Sequence, residues 1–261
     1  MGVILLYLFL LGLFVGSFYN VVALRLCKNE SIVFPGSHCV NCNHELAWYE
    51  LIPVFSYIGL RGKCKKCKIH ISLQYPIIEL LTGILFALSF HIFGFSYSTL
   101  ASLILVSIVV ISYVSDFKYM VILDEVLVIG GILLCVVNYF NGGFALVGSS
   151  LLNGLVMFII MLLIKLIGDK AFKQESLGWG DVKLSFIAGM FLGIPLGIVY
   201  IFAGSFLAFP YALIVTLRKK ESLVPFGPFL ATALLLIFWN YDLVFNFINT
   251  LLGGVLWKKF Y

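Results

Sequence analysis

Residues 3–24 read VILLYLFLLGLFVGSFYNVVAL, a run of twenty-two residues without a charge. A helix of that length is long enough to cross the roughly 30 Å hydrocarbon core of a bilayer. No basic n-region precedes it and no small-x-small cleavage pattern follows, so it reads as a retained helix rather than a signal peptide. Further apolar runs recur at about 77–96, 98–115, 126–140, 144–168, 182–193, 195–217 and 223–240. The 261-residue chain is 62% hydrophobic and 11% charged, where soluble domains carry about 25% charged residues. The expected fold is all-α: a polytopic membrane protein with about eight transmembrane helices. Leu243 to Trp257 reads as an interfacial helix or a partial re-entry.

Lysine and arginine set the expected orientation. Arg25, Lys28, Arg61, Lys63, Lys65, Lys66 and Lys68 fall in the first long loop. Lys118, then Lys165, Lys170 and Lys173, then Arg218, Lys219 and Lys220 fall in every second loop after it. The alternate loops, Phe93 to Ser98, Tyr139 to Phe144 and Gly193 to Gly197, carry neither residue type. The charged loops are expected to face the cytoplasm, with Lys258 and Lys259 as the exception. The net charge of +5 is explained by this bias, so no nucleic-acid partner is expected; membrane lipid is.

The first charged loop, Arg25 to Tyr75, is expected to form a small domain of its own. It holds Cys39-Val-Asn-Cys42 and Cys64-Lys-Lys-Cys67, two C-x-x-C pairs twenty-one residues apart. So short a loop buries little core, and a structural metal is a natural staple. Four thiolates in two knuckles suit tetrahedral zinc, with no open position for catalysis. Disulfides or a redox pair are the competing readings. His38, His44 and His70 are nearby substitutes for a cysteine ligand, or exposed loop histidines. Cys135 reads as core packing.

Gly178-Trp-Gly-Asp-Val-Lys-Leu184 sets a carboxylate, Asp181, at the mouth of an apolar helix behind two glycines. Ionisable groups at or in a membrane are functional suspects, although an N-capping Asp would look the same. The other acidic residues beside the membrane are Glu79, Asp116, Asp124 and Glu125. Asp116 ends the third span and Asp181 begins the sixth, which puts both at one face. Two neighbouring carboxylates do not both ionise cheaply and share a proton. That arrangement serves aspartic proteolysis, one Asp activating water and the other protonating the carbonyl or leaving amine. Asp124 opens the fourth span and is a rival for this role or a helix cap.

These residues also resemble a known family. The matching runs are Gly16-Ser-Phe-Tyr-Asn-Val-Val-Ala-Leu-Arg25, the two C-x-x-C pairs, Trp48-Tyr-Glu-Leu-Ile-Pro-Val-Phe-Ser-Tyr57, Gly62-Lys-Cys and Ile71-Ser-Leu-Gln-Tyr-Pro-Ile-Ile-Glu79. Asp116, Gly178 to Leu184 and Pro225-Phe-Gly-Pro-Phe229 complete the set. In this order they resemble the bifunctional prepilin peptidases (type IV leader peptidase and N-methyltransferase), a GxGD-type intramembrane aspartic protease family. The sequence departs from the family at Leu123, where proline is usual, and at Gln74, where arginine often precedes Tyr-Pro.

The resemblance implies that Asp116 and Asp181 are the catalytic pair, supported by Gly178, Gly180, Lys183 and Asp124. Gly178 and Gly180 are expected to leave room for an extended substrate backbone beside Asp181. It implies leader cleavage after a glycine in prepilins or pseudopilins, on the cytoplasmic side of the bacterial inner membrane. It also implies methylation of the new N-terminus from S-adenosylmethionine, at the zinc loop and its flanking helices, with Glu79 and Asn20 as candidates. The implied substrates belong to pilus, type II secretion and DNA-uptake systems. The division expected is a first transmembrane helix over 1–24, a zinc loop over 25–75, helices 2 and 3 over 76–115, a peptidase core over 116–242 and an interfacial segment over 243–261. The alternatives are a peptidase that only cleaves, a proton-coupled transporter using the same aspartates, and a zinc-stapled scaffold without chemistry.

Overall fold

The computed structural model describes residues 1–219 and 225–251. Lys258, Lys259 and the last ten residues of the expected C-terminal segment lie outside these. The helices are α1 (Gly2–Leu26), α2 (Phe55–Gly59), α3 (Gln74–Phe93), α4 (Tyr97–Tyr119), α5 (Asp124–Phe172), α6 (Trp179–Lys219), α7 (Gly227–Trp239) and α8 (Tyr241–Leu251). Among the described residues no strand forms, only two isolated bridges. The chain divides into two compact units, Met1–Phe95 and Ser96–Tyr261.

In the first unit α1 packs on α3 through small residues. A Cβ on Gly12 would stand 2.7 Å from the Cα of Gly83, and one on Gly16 would stand 2.9 Å from the Cβ of Thr82. Gly12-x-x-x-Gly16 thus lets the two backbones approach, which is how membrane helices gain contact where lipid is as apolar as the side chains. The loop between α1 and α3 carries the cysteines, the 3-10 turn Trp48–Glu50 and α2.

In the second unit two helices are longer than any bilayer requires. The 49 residues of α5 would rise about 74 Å if straight. Instead α5 breaks at Gly142 and Gly143, and α6 breaks at Gly193, just before Pro195. Gly143 and Gly193 have φ of 67° and 73°, which glycine adopts at little cost. The breaks reverse the chain. Gly131 packs on Ile187, while Gly154 packs on the carbonyl of Phe186. Both halves of α5 therefore meet one stretch of α6. Likewise Gly180 meets Ile122, while Tyr211 places its ring 6.3 Å from that of Phe117. Both ends of α6 thus return to the end of α4, which is the most enclosed of these helices.

Among the described residues five helices are long and apolar enough to cross a membrane, or six if α7 and α8, bent by 88°, form one broken span. The chain is a multi-pass membrane protein. The expected figure of about eight depends on counting the halves of α5 and α6 separately.

Candidate active site and metal centre

Asp116 lies one turn before the end of α4, and Asp181 lies in the first turn of α6. Each residue is 6% exposed. Met120 ends α4 in the left-handed conformation, its N–H donating to the Asp116 carbonyl at 2.9 Å. Past this cap, Val121 to Leu123 form a short link whose Ile122 points into the site. A Cβ on Gly180 would come within 2.8 Å of the Cβ of Ile122, and one on Gly227 within 2.7 Å of its Cδ1. Ile122 is thus wedged between the Asp181 turn and the start of α7. The amide of Gly227 faces the Asp116 carboxyl, whose Oδ2 is buried without a hydrogen-bond partner. The charge of Asp116 reaches Asp181, as does that of Lys165. Unpartnered buried carboxylate oxygen is costly, and a site that must leave an oxygen free for a reacting group carries that cost.

The place a Cβ on Gly180 would take is filled by Ile122. Gly178 is the more open of the two, a Cβ there meeting Asp181 Oδ2 at 3.2 Å. Lys183 and Asp124 come together, away from the aspartate pair. Lys183 Nζ donates to both carboxylate oxygens of Asp124, at 2.6 and 2.7 Å. Two residues along a helix point to nearly opposite faces, so Lys183 leaves Asp181 behind it. The pair lines a cavity of about 1000 Å³ between the halves of α5 and the first half of α6, which touches neither Asp116 nor Asp181. The cap expected of Asp124 falls instead to Leu123, whose extended backbone precedes the helix.

Lys165 carries a signal that the charge pattern hid. Grouped with the loop cations, it is instead 2% exposed, inside α5. Its position in the apolar run Leu155 to Ile167 is the feature that marks it out.

In the first unit the four cysteines Cys39, Cys42, Cys64 and Cys67 converge, their Sγ atoms all within 4.8 Å of one another. Two matching turns bring this about. The Cys39 N–H donates to the His44 carbonyl and the Cys64 N–H to that of Ile69, each at 2.9 Å. Asn43 and Lys68, each just after the second cysteine of its pair, take positive φ. The amide of Ile69 draws Cys67 down to about 6. At Cys42 the pull of the His44 amide is outweighed by burial and the other thiols, which push it up to about 11. Four thiols this close can hold a metal ion in place of their protons. The histidines stay out of the set: His44 pairs with Glu50 at 3.2 Å, and His38 Nδ1 lies 2.9 Å from the Gly36 carbonyl.

Glu79 and Asn20 are among the polar residues buried in this unit. Glu79, 7% exposed, accepts from the Val54 N–H at 2.7 Å. Val54 has φ +62°, rare for a β-branched residue, and this bond helps hold it there. Asn20, fully buried, accepts from Gln74 Nε2 at 3.3 Å.

A multi-pass helical membrane protein with two buried aspartates at helix ends and a four-thiol cluster is the class defined so far. Comparison with known proteins narrows it. Residues 10–93 match the bacterial peptidase A24 N-terminal domain, and residues 103–213 match the type IV leader peptidase family. Among similar proteins, one from Neisseria gonorrhoeae is 32% identical over 92% of this chain and 91% of its own length. One from Bacillus subtilis (strain 168) is 30% identical over 92% and 96%. One from Myxococcus xanthus (strain DK1622) is 40% identical over 71% of this chain but 55% of its own length. All three are named prepilin leader peptidase/N-methyltransferase. No solved structure matches the chain significantly. This chain belongs to the type IV leader peptidase family.

Proposed function

We propose that this chain is a prepilin peptidase that also N-methylates its product, acting on type IV prepilins or pseudopilins. The observation that carries the chemistry is the burial of Asp116 and Asp181 at neighbouring helix ends, with one carboxylate oxygen free of partners. In this reading the ionised aspartate takes a proton from water, whose oxygen adds to the scissile carbonyl carbon. The protonated aspartate donates to the carbonyl oxygen; as the C–N bond breaks, the departing amine takes the proton removed from water and a diol hydroxyl returns one to the other aspartate. Packing at the site supports a support role for Gly180 through Ile122. Lys183 and Asp124 act as an ion pair at its edge.

Cleavage follows a glycine on the cytoplasmic face of a bacterial inner membrane, the orientation favoured by the Lys and Arg bias. Each half of α5 and α6 makes its own crossing. Zinc is the metal that the cysteines hold. The Cys39–Cys67 and Cys42–Cys64 sulfur separations are 3.7 and 3.9 Å, close to the edge of about 3.8 Å in a tetrahedron with 2.3 Å Zn–S bonds. With four thiolate ligands the metal is structural. S-adenosylmethionine, when bound, would supply the methyl group to the new N-terminal amine, the S–CH3 bond breaking to leave S-adenosylhomocysteine and the amine giving up a proton. Glu79 and Asn20, both buried in the first unit, are the groups offered for this step.

Purified protein incubated with a prepilin and labelled S-adenosylmethionine tests the reading. Wild type is expected to yield a shortened, labelled pilin, and Asp116→Asn or Asp181→Asn neither cut nor labelled product. Processing retained in either variant would overturn the pair, and cut but unlabelled wild-type product would remove the methylation.

A further inference from the structure

An ammonium removed from water costs several kcal/mol unless it is paired, by roughly the effective desolvation penalty. Lys165 is removed from water: its side chain is 3% exposed. It donates to the Leu177 carbonyl at 2.6 Å, meets Asp169 Oδ2 at 3.1 Å and stands 5.4 Å over the Trp179 ring. Asp169 is one turn along α5, on the same face. Its Oδ1 accepts from the Ser176 N–H at 2.6 Å and from the Ser176 hydroxyl at 2.8 Å. The same hydroxyl reaches the Lys165 carbonyl at 3.4 Å. A Cβ on Gly168 would fall 2.5 Å from the Ser176 hydroxyl oxygen, so the latch closes over a glycine.

Ser176, Leu177 and Trp179 are therefore tied to one face of α5, immediately ahead of Asp181. That run needs an outside hold. Gly178 and Gly180 leave its backbone little stiffness of its own, while a catalytic group must be kept within about 0.5 Å of its working place. We propose that Lys165 is the positioning residue of the aspartate pair, fixing the Leu177–Trp179 turn so that Asp181 faces Asp116. The proposal rests on the reading of Asp181 as catalytic.

The test uses the full-length protein in detergent, with prepilin cleavage and hydrogen exchange read side by side. Lys165→Met is expected to lower kcat about a hundredfold, the scale of an ångström of misplacement, with KM nearly unchanged. Lys165→Arg, which keeps the charge and the donors, is expected to recover most of that loss. Asp169→Ala, at a partly exposed site, loosens the same latch if Lys165→Met fails to fold. In Lys165→Met and Asp169→Ala the amides of residues 174–181 are expected to exchange about tenfold faster, as for a lost local contact worth about 1.4 kcal/mol. Wild-type kcat in either variant, or unchanged exchange, overturns the proposal. A rise in KM with kcat intact also overturns it. A wild type that does not cleave prepilin sinks the function reading and the catalytic role with it, while the exchange data still decide the latch.

Discussion

The Asp116 carboxylate fills the space that Gly227 leaves beside it. A Cβ on Gly227 would stand 2.8 Å from Asp116 Oδ2 and 2.7 Å from Ile122 Cδ1. Both neighbours are themselves held: Asp116 by the helix cap at Met120, and Ile122 by Gly180 on its other side. A methyl group added here therefore pushes on the Asp116 carboxyl and on the wedge together. Gly227→Ala is expected to lower cleavage kcat about a hundredfold, with a stability loss of about 1–3 kcal/mol from overpacking. Kinetics and thermal unfolding of the purified variant check both, and wild-type kcat would show that the carboxylate has room to move.

Gly180 and Gly178 are expected to differ. Gly180→Ala drives a methyl into Ile122, at 2.8 Å from its Cβ, whereas Gly178→Ala meets only Asp181 Oδ2 at 3.2 Å. The first should be the more destabilising, and Ile122→Ala should recover part of its loss by removing the collision. Unfolding midpoints of the two single variants and of Gly180→Ala with Ile122→Ala decide this. Strict additivity would mean that the contact does not matter.

Asp124 pairs with Lys183 where both side chains are substantially exposed, 57% and 42%. Such pairs contribute about 0–1 kcal/mol. Asp124→Asn and Lys183→Met are expected to keep folded protein and most cleavage activity. Loss of cleavage in Asp124→Asn comparable to that in Asp116→Asn would return Asp124 to the catalytic pair.

The thiol cluster predicts about one zinc per chain by elemental analysis. The loop between α1 and α3 has little core apart from this cluster, and zinc binding to such peptides releases roughly 10–16 kcal/mol. Cys64→Ser, or prolonged treatment with a strong chelator, should lower the metal content well below one. It should also open the loop to trypsin at Lys63, Lys65, Lys66 and Lys68. A loop equally resistant with and without metal would mean that other contacts hold it.

Much of this molecule was legible before any coordinate. Charge-free runs predict membrane helices because a buried backbone in lipid must satisfy its own hydrogen bonds. The two C-x-x-C pairs predict a four-thiol cluster able to hold a metal, because a short knuckle presents two thiols to one point. The glycine run and its aspartate stood out because charge beside an apolar run is rare. Lys165 shows the limit of such patterns. Counting it among the loop cations obeyed the charge rule, yet the chain turns it inward onto Leu177 and Asp169.

The sequence by itself determined the class of fold, the family, the cysteine set and the short list of acidic residues. Those properties are local, written in composition, spacing and order. Only the tertiary structure decided that Asp116 and Asp181 are both buried at helix ends, that Ile122 occupies the space beside Gly180, and that Asp124 turns to Lys183. Each depends on how the hairpins of α5 and α6 return to the end of α4. Side-chain partners across such a return lie 50 residues or more apart, as in the pair Lys183–Asp124 with a separation of 59, and no local pattern encodes that packing.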